Sequence, residues 1–106
     1  MKILNLTPHT VNFLTDKGTV SIEPSGTIAR VDTLTTEIGG YDGIPVKKIS
    51  YGNLSGLPDS ADDTIYLVSS LVAQATDRSD VFVPTDFVRD DKGNITGARS
   101  LGRIIH

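Results

Sequence analysis

Two groups of side chains in this sequence could do chemistry: a histidine with a pair of serines, and a set of arginines on an acidic chain. His9 follows Pro8, which would hold it at a strand break with its imidazole open to a ligand. The alternative is a turn histidine bonded to nearby backbone, because a chemical role needs a named partner. Ser69 and Ser70 stand between a strand-like and a helix-like run, the position of a nucleophile elbow, with His9 as base and Asp77 or Asp80 as orienting acid. An elbow needs small residues around its serine, and here Val68 and Leu71 occupy the places where the sharp turn requires glycine. The adjacent carboxylates Asp62-Asp63 and Asp90-Asp91 read as solvated turn residues, since neighbours on a loop point apart. His9 and His106 are the only histidines, and no ligand spacing accompanies them, so neither a structural metal nor a cofactor is expected.

The arginines carry more information. Arg30, Arg78, Arg89, Arg99 and Arg103 equal the lysines in number, and four of the five follow the helix-like run. A guanidinium presents a rigid fork of donors suited to carboxylate or phosphate, so a few that converge could hold a small anion even on an acidic protein. A helix begun by Ser69 would add free amides to the same site. The competing reading pairs arginines with abundant aspartates, as in Asp77-Arg78-Ser79-Asp80. The residues expected to bind a ligand are His9, Arg30, Ser69, Arg78 and Arg89, with none assigned to catalysis.

Composition limits the partners. The chain has 106 residues, 38% of them hydrophobic, which is room for one core and a single domain over 1–106. Three tyrosines, three phenylalanines, no tryptophan and ten glycines imply a core of Ile, Val and Leu with much chain given to turns. Stability should be modest, and assembly into a homo-oligomer would help. Thirteen acidic and ten basic residues give a net charge of −3 with no basic tract, which disfavours nonspecific nucleic-acid binding. Zero cysteines exclude a disulfide framework and sit comfortably with a reducing cytoplasm. The apolar stretch before Pro8 is too short for a signal-peptide core, and no run approaches the roughly 20 residues of a membrane span. A cytoplasmic protein with no membrane partner is expected.

The elements that must position these residues follow from periodicity. Ile3 to Leu6 form a first strand that Thr7-Pro8-His9 breaks. Val11 and Phe13, then Val20 and Ile22, alternate about Thr15-Asp16-Lys17-Gly18, a hairpin. After a turn at 23–26, Ile28, Arg30 and Asp32 share a strand face. Three glycines between 39 and 43 predict a loop, after which Ile44, Val46, Ile49 and Tyr51 resume a strand. The stretch 52–63 reads as a loop of functional length, a lid or recognition-loop candidate. The most organised segment is a strand, helix and strand over 64–88: Val68, Leu71, Val72 and Ala75 have helical spacing, and Ser69 is placed to cap it. Pro84 interrupts the second strand, and Asp90-Asp91-Lys92-Gly93-Asn94 turns the chain into a last hairpin. The fold class is α+β: a small, mainly antiparallel sheet or partly open barrel with one short helix at about 69–76.

Several phrases carry a resemblance: Asn5-Leu6-Thr7-Pro8-His9, Pro24-Ser25-Gly26 with Ala29-Arg30, Gly56-Leu57-Pro58, Tyr66-Leu67-Val68-Ser69 with Leu71-Val72-Ala73, and Arg78-Ser79-Asp80 leading to Val83-Pro84. Over nearly its full length the chain resembles a family of small, largely uncharacterised proteins encoded by bacteriophages, prophages and some bacteria. The resemblance transfers no catalytic residue. It implies a phage-type accessory protein in the host cytoplasm that binds a host molecule, host-defence antagonists being a common class of that kind. The leading expectation is therefore a nonenzymatic binding protein that sequesters a small anionic, nucleotide-like signal. The rivals are an inhibitor that docks on a host protein, by a sheet edge or the 52–63 loop, and a small hydrolase using Ser69 or His9.

Overall fold

The computed structural model describes residues 2–105, so the expectation for His106 lies outside the described residues. Six strands form one curled mixed sheet, a half-barrel: β1 (Lys2–Asn5), β2 (Val11–Thr15), β3 (Gly18–Ile22), β6 (Thr64–Leu67), β7 (Val81–Arg89) and β8 (Ile95–Gly102). Two longer strands, β4 (Arg30–Tyr41) and β5 (Ile44–Ser55), form a separate antiparallel hairpin, and one helix, α1 (Ser70–Gln74), links β6 to β7. The expected α+β class with a partly open barrel is the observed one.

The strand order in the half-barrel is β1-β6-β7-β8-β2-β3. β1, β6 and β7 run parallel, and α1 provides the crossover that a parallel pair requires. β7 and β8 form an antiparallel hairpin, β8 meets β2 in parallel at Phe13 and Ala98, and β2 pairs antiparallel with β3. The two edges of this sheet come together at Asn5, which bridges to Pro24 just beyond β3 and accepts the Ser25 amide at 2.9 Å.

A parallel strand covered on both sides reads as a continuous apolar run. β6 does so: Tyr66 and Val68 join Leu6, Ala29, Val72, Ala73, Val81 and Val83 in the core between sheet and helix. Leu67, facing the opposite way, meets Phe13 and Ala98 inside the curl. Ser69 caps α1, its hydroxyl accepting from the Val72 amide at 3.4 Å. The buried face of the helix is Val72 and Ala73; Leu71 and Ala75, expected on that face, turn instead toward Val31 and Tyr51 at the foot of the hairpin.

Three boundaries differ from the periodicity reading. Gly39 and Gly40 belong to β4, and the turn is only Asp42-Gly43, with φ of 50° and 80°, the two-residue Asp-Gly hairpin turn. Pairing across to Val46 and Pro45 offsets the freedom those two glycines lose. β5 continues to Ser55, so the loop is 56–63, and it is tied down: Arg78 Nη1 donates to Pro58 O at 2.6 Å and the Tyr66 hydroxyl to Asp59 O at 2.9 Å. Pro84 does not end β7. It lies beyond Phe82, the last residue paired with β6, where one side of the strand is already free of a ladder.

Candidate functional site

The loop between β1 and β2, the start of α1 and the β7–β8 hairpin enclose an open cleft of about 520 Å³, within the size range of small-molecule sites. It lies where the chain leaves the carboxyl ends of the parallel strands β1 and β6, with residues of β2, β7 and β8 in its wall. Its wall combines Pro84, Phe87 and Ile95 with the hydroxyl residues Thr7, Thr10, Ser69, Ser70 and Thr96, along with Asn12 and His9.

Asn5 builds the loop that carries His9. It is 1% exposed, and its amide is fully used: Nδ2 donates to His9 O at 2.8 Å and to Ile22 O at 3.0 Å, while Oδ1 accepts from the Thr7 amide at 2.9 Å and the Thr7 hydroxyl at 2.6 Å. A buried side-chain amide survives only when its donors and acceptor are met. Here four bonds from one residue fold Thr7-Pro8-His9 back on the strand end, close the two sheet edges, and leave the His9 side chain exposed on the cleft wall.

β7 contributes both Pro84 and Phe87, three residues apart, which regular alternation would send to opposite faces. Between them Asp86 has φ 55°, a left-handed conformation in mid-strand, and the Ser100 hydroxyl donates to its carboxylate at 2.7 Å from across the hairpin. The local twist brings both rings to the cleft and leaves Phe87 50% exposed. On the facing strand, Gly97 allows a close approach: a Cβ there would stand 2.9 Å from Asn12 O.

Of the residues expected to bind a ligand, His9 and Ser69 come together in this cleft, and Arg30, Arg78 and Arg89 do not line it. Arg30 opens β4, paired with Ser55 at the foot of the hairpin. Arg78 grips Asp80 with two donors, Nε to Oδ1 at 3.0 Å and Nη2 to Oδ2 at 2.8 Å, lies 5.6 Å from the centre of the Tyr66 ring, and reaches Pro58 O with its third. These bonds hold Asp80 below the usual carboxylate range, against the desolvation that would raise it. Arg89 ends β7 opposite Ile95, one of the cleft residues, and donates to Gly93 O at 3.0 Å.

Among the described residues no carboxylate lines the cleft, none of them orients the histidine there as in a triad, and Asp80 is engaged by Arg78. Among the described residues no three of His, Asp and Glu gather as a metal ion would require, and no helix is long and apolar enough to cross a membrane. Sequence reasoning missed Asn5, Phe87 and Thr96. A polar residue inside the apolar run Ile3-Leu4-Asn5-Leu6 is the one available signal for Asn5. The chain matches no protein-family model, no curated protein sequence and no solved structure.

Proposed function

We propose that this protein is a nonenzymatic binding protein that takes a small, nucleotide-like molecule into the cleft between the β1–β2 loop, the start of α1 and the β7–β8 hairpin. One observation carries the reading: an exposed aromatic ring, Phe87, shares a cleft of about 520 Å³ with five hydroxyl side chains and an imidazole. A nucleobase stacks on such a ring whatever its sequence identity, at about 1–3 kcal/mol per base. Sugar and phosphate oxygens meet hydroxyl donors on the wall, and the His9 imidazole adds a ring N–H donor. Arg89, opposite Ile95 at the end of the hairpin, is a cation whose strand position adjoins this wall. Sequestration of a host signal, as the resemblance to phage-encoded proteins implies, asks only for binding, and a lining without carboxylates suits binding better than hydrolysis.

Isothermal titration with nucleoside monophosphates, diphosphates and cyclic dinucleotides tests this. At least one should bind saturably, and Phe87→Ala should weaken that ligand by about tenfold to a hundredfold, the stacking energy expressed as affinity. An absence of binding across the panel overturns the reading.

A further inference from the structure

We propose that the β4–β5 hairpin is the surface through which two copies of this chain assemble, one apolar face against the other. The alternation of β5 puts Ile44, Val46, Lys48 and Ser50 on one face, and the pairing register sets Tyr41, Thr36 and Leu34 across from Ile44, Lys48 and Ser50 on that same face. Ile38, the extra residue of a bulge two positions beyond Thr36, joins them. Ile38, Tyr41, Ile44 and Val46 thus form a patch that Leu34 extends on the body side of the Thr36–Lys48 pair, with Tyr41 74% exposed. The patch leaves on the order of 600 Å² of apolar side chain in solvent, at the top of the range for a monomer. With its rim of Thr36, Lys48 and Ser50 it approaches the roughly 800 Å² that each partner of a standard interface buries.

Three observations favour a second copy as the occupant. The chain's radius of gyration is 16.7 Å, where a self-contained domain of this length would have about 13 Å, so the hairpin stands away from the body as part of a larger assembly would. Arg30, Lys47 and Lys48 balance Asp32, Glu37 and Asp42, so the hairpin is formally neutral on a chain of net charge −3. Two hairpins meet without the repulsion that two acidic bodies feel. Asp42 stands at the turn end of the patch and Lys48 lies within it, paired with Thr36 on the body side of Val46, so a two-fold axis between Asp42 and Lys48 sets each Asp42 against the other copy's Lys48. That is the self-complementarity an isologous interface needs.

Sedimentation equilibrium on the full chain, from low micromolar to high micromolar concentration, is the test. The protein should approach twice its 11.3 kDa mass. Ile38→Glu should remain at the monomer mass with an unchanged circular dichroism spectrum of the body, since Ile38 is exposed in the single chain. Lys48→Glu should weaken association by about tenfold at low salt, with the loss shrinking as salt is added. A chain monomeric at every concentration overturns the proposal, as does association of Ile38→Glu as strong as that of the unaltered chain. So does a monomeric chain whose hairpin is covered by a host protein instead.

Discussion

The half-barrel and the β4–β5 hairpin are both built from strands rich in Ile, Val and Leu, yet these residues end in opposite environments. In the half-barrel Leu67 and Val68 lose all exposure because α1 covers one side of the sheet and the curl encloses the other. In the hairpin, Leu34, Ile38 and Ile44 keep more than half of theirs, because no other element among the described residues covers them. The difference teaches that such residues specify a strand, whereas burial depends on what is brought against it. A two-stranded hairpin is marginal on its own in water. This one is anchored at its foot, where Val31 and Leu54 pack on the core.

The largest effect expected from that contrast is on core truncation. Leu67→Ala should destabilise the body by about 2–5 kcal/mol in chemical denaturation, while Leu34→Ala should change the stability of the monomer by less than about 0.5 kcal/mol. Equal losses would mean that the hairpin is packed after all. Next comes Asn5→Leu, which takes the acceptor from the Thr7 amide and one donor from each of the carbonyls of His9 and Ile22. It should cost about 3 kcal/mol, at the upper end for buried unsatisfied groups, and amide exchange should rise in the β1–β2 loop and leave the hairpin unaffected.

Smaller effects come from the cleft wall and the clamp. Asp86→Val places a β-branched residue at φ 55° and removes the Ser100 contact, so a loss of about 1–3 kcal/mol is expected, together with a changed environment for Phe87 in proton spectra. Asp86→Asn, which tolerates that backbone, should lose less. Asp80→Asn should cost about 1 kcal/mol at neutral pH. Arg78 lowers the folded-state pKa of Asp80, so the ion pair stabilises the fold above the unfolded carboxylate pKa and the benefit is lost as pH falls through the folded value. The stability gap between Asp80→Asn and the unaltered chain should therefore close as acid is added below pH of about 4.

Much of this fold was legible from the residues. The β2–β3 hairpin, the strand-helix-strand unit, the Ser69 cap and the final turn rest on local chemistry, and local chemistry is what a sequence displays. In the 39–43 segment three glycines argue for a loop by their entropy, while the Asp42-Gly43 pair inside it is itself a turn signal and leaves Gly39 and Gly40 to the strand. The site was half legible. His9 and Ser69 stand at breaks between elements, which a sequence reveals. The convergence of the arginines depended on tertiary partners, and Arg78 found its own two residues away in Asp80. Phe87 reaches the cleft only because Asp86 bends the strand, and alternation alone would not turn it toward the side that Pro84 faces.

The central claim is that the cleft, and no other part of the body, receives a nucleotide-like ligand. Nitrogen-15 correlation spectra recorded through a titration with the tightest nucleotide of the calorimetric panel test it most directly. Shifts confined to Thr7 and His9 through Asn12, Val68 to Ser70, Phe87, and Ile95 to Ala98 are the predicted result, with the 56–63 loop and the Arg78 clamp unmoved. Shifts centred on Arg78, Arg30 or that loop, with the cleft amides unchanged, would contradict it.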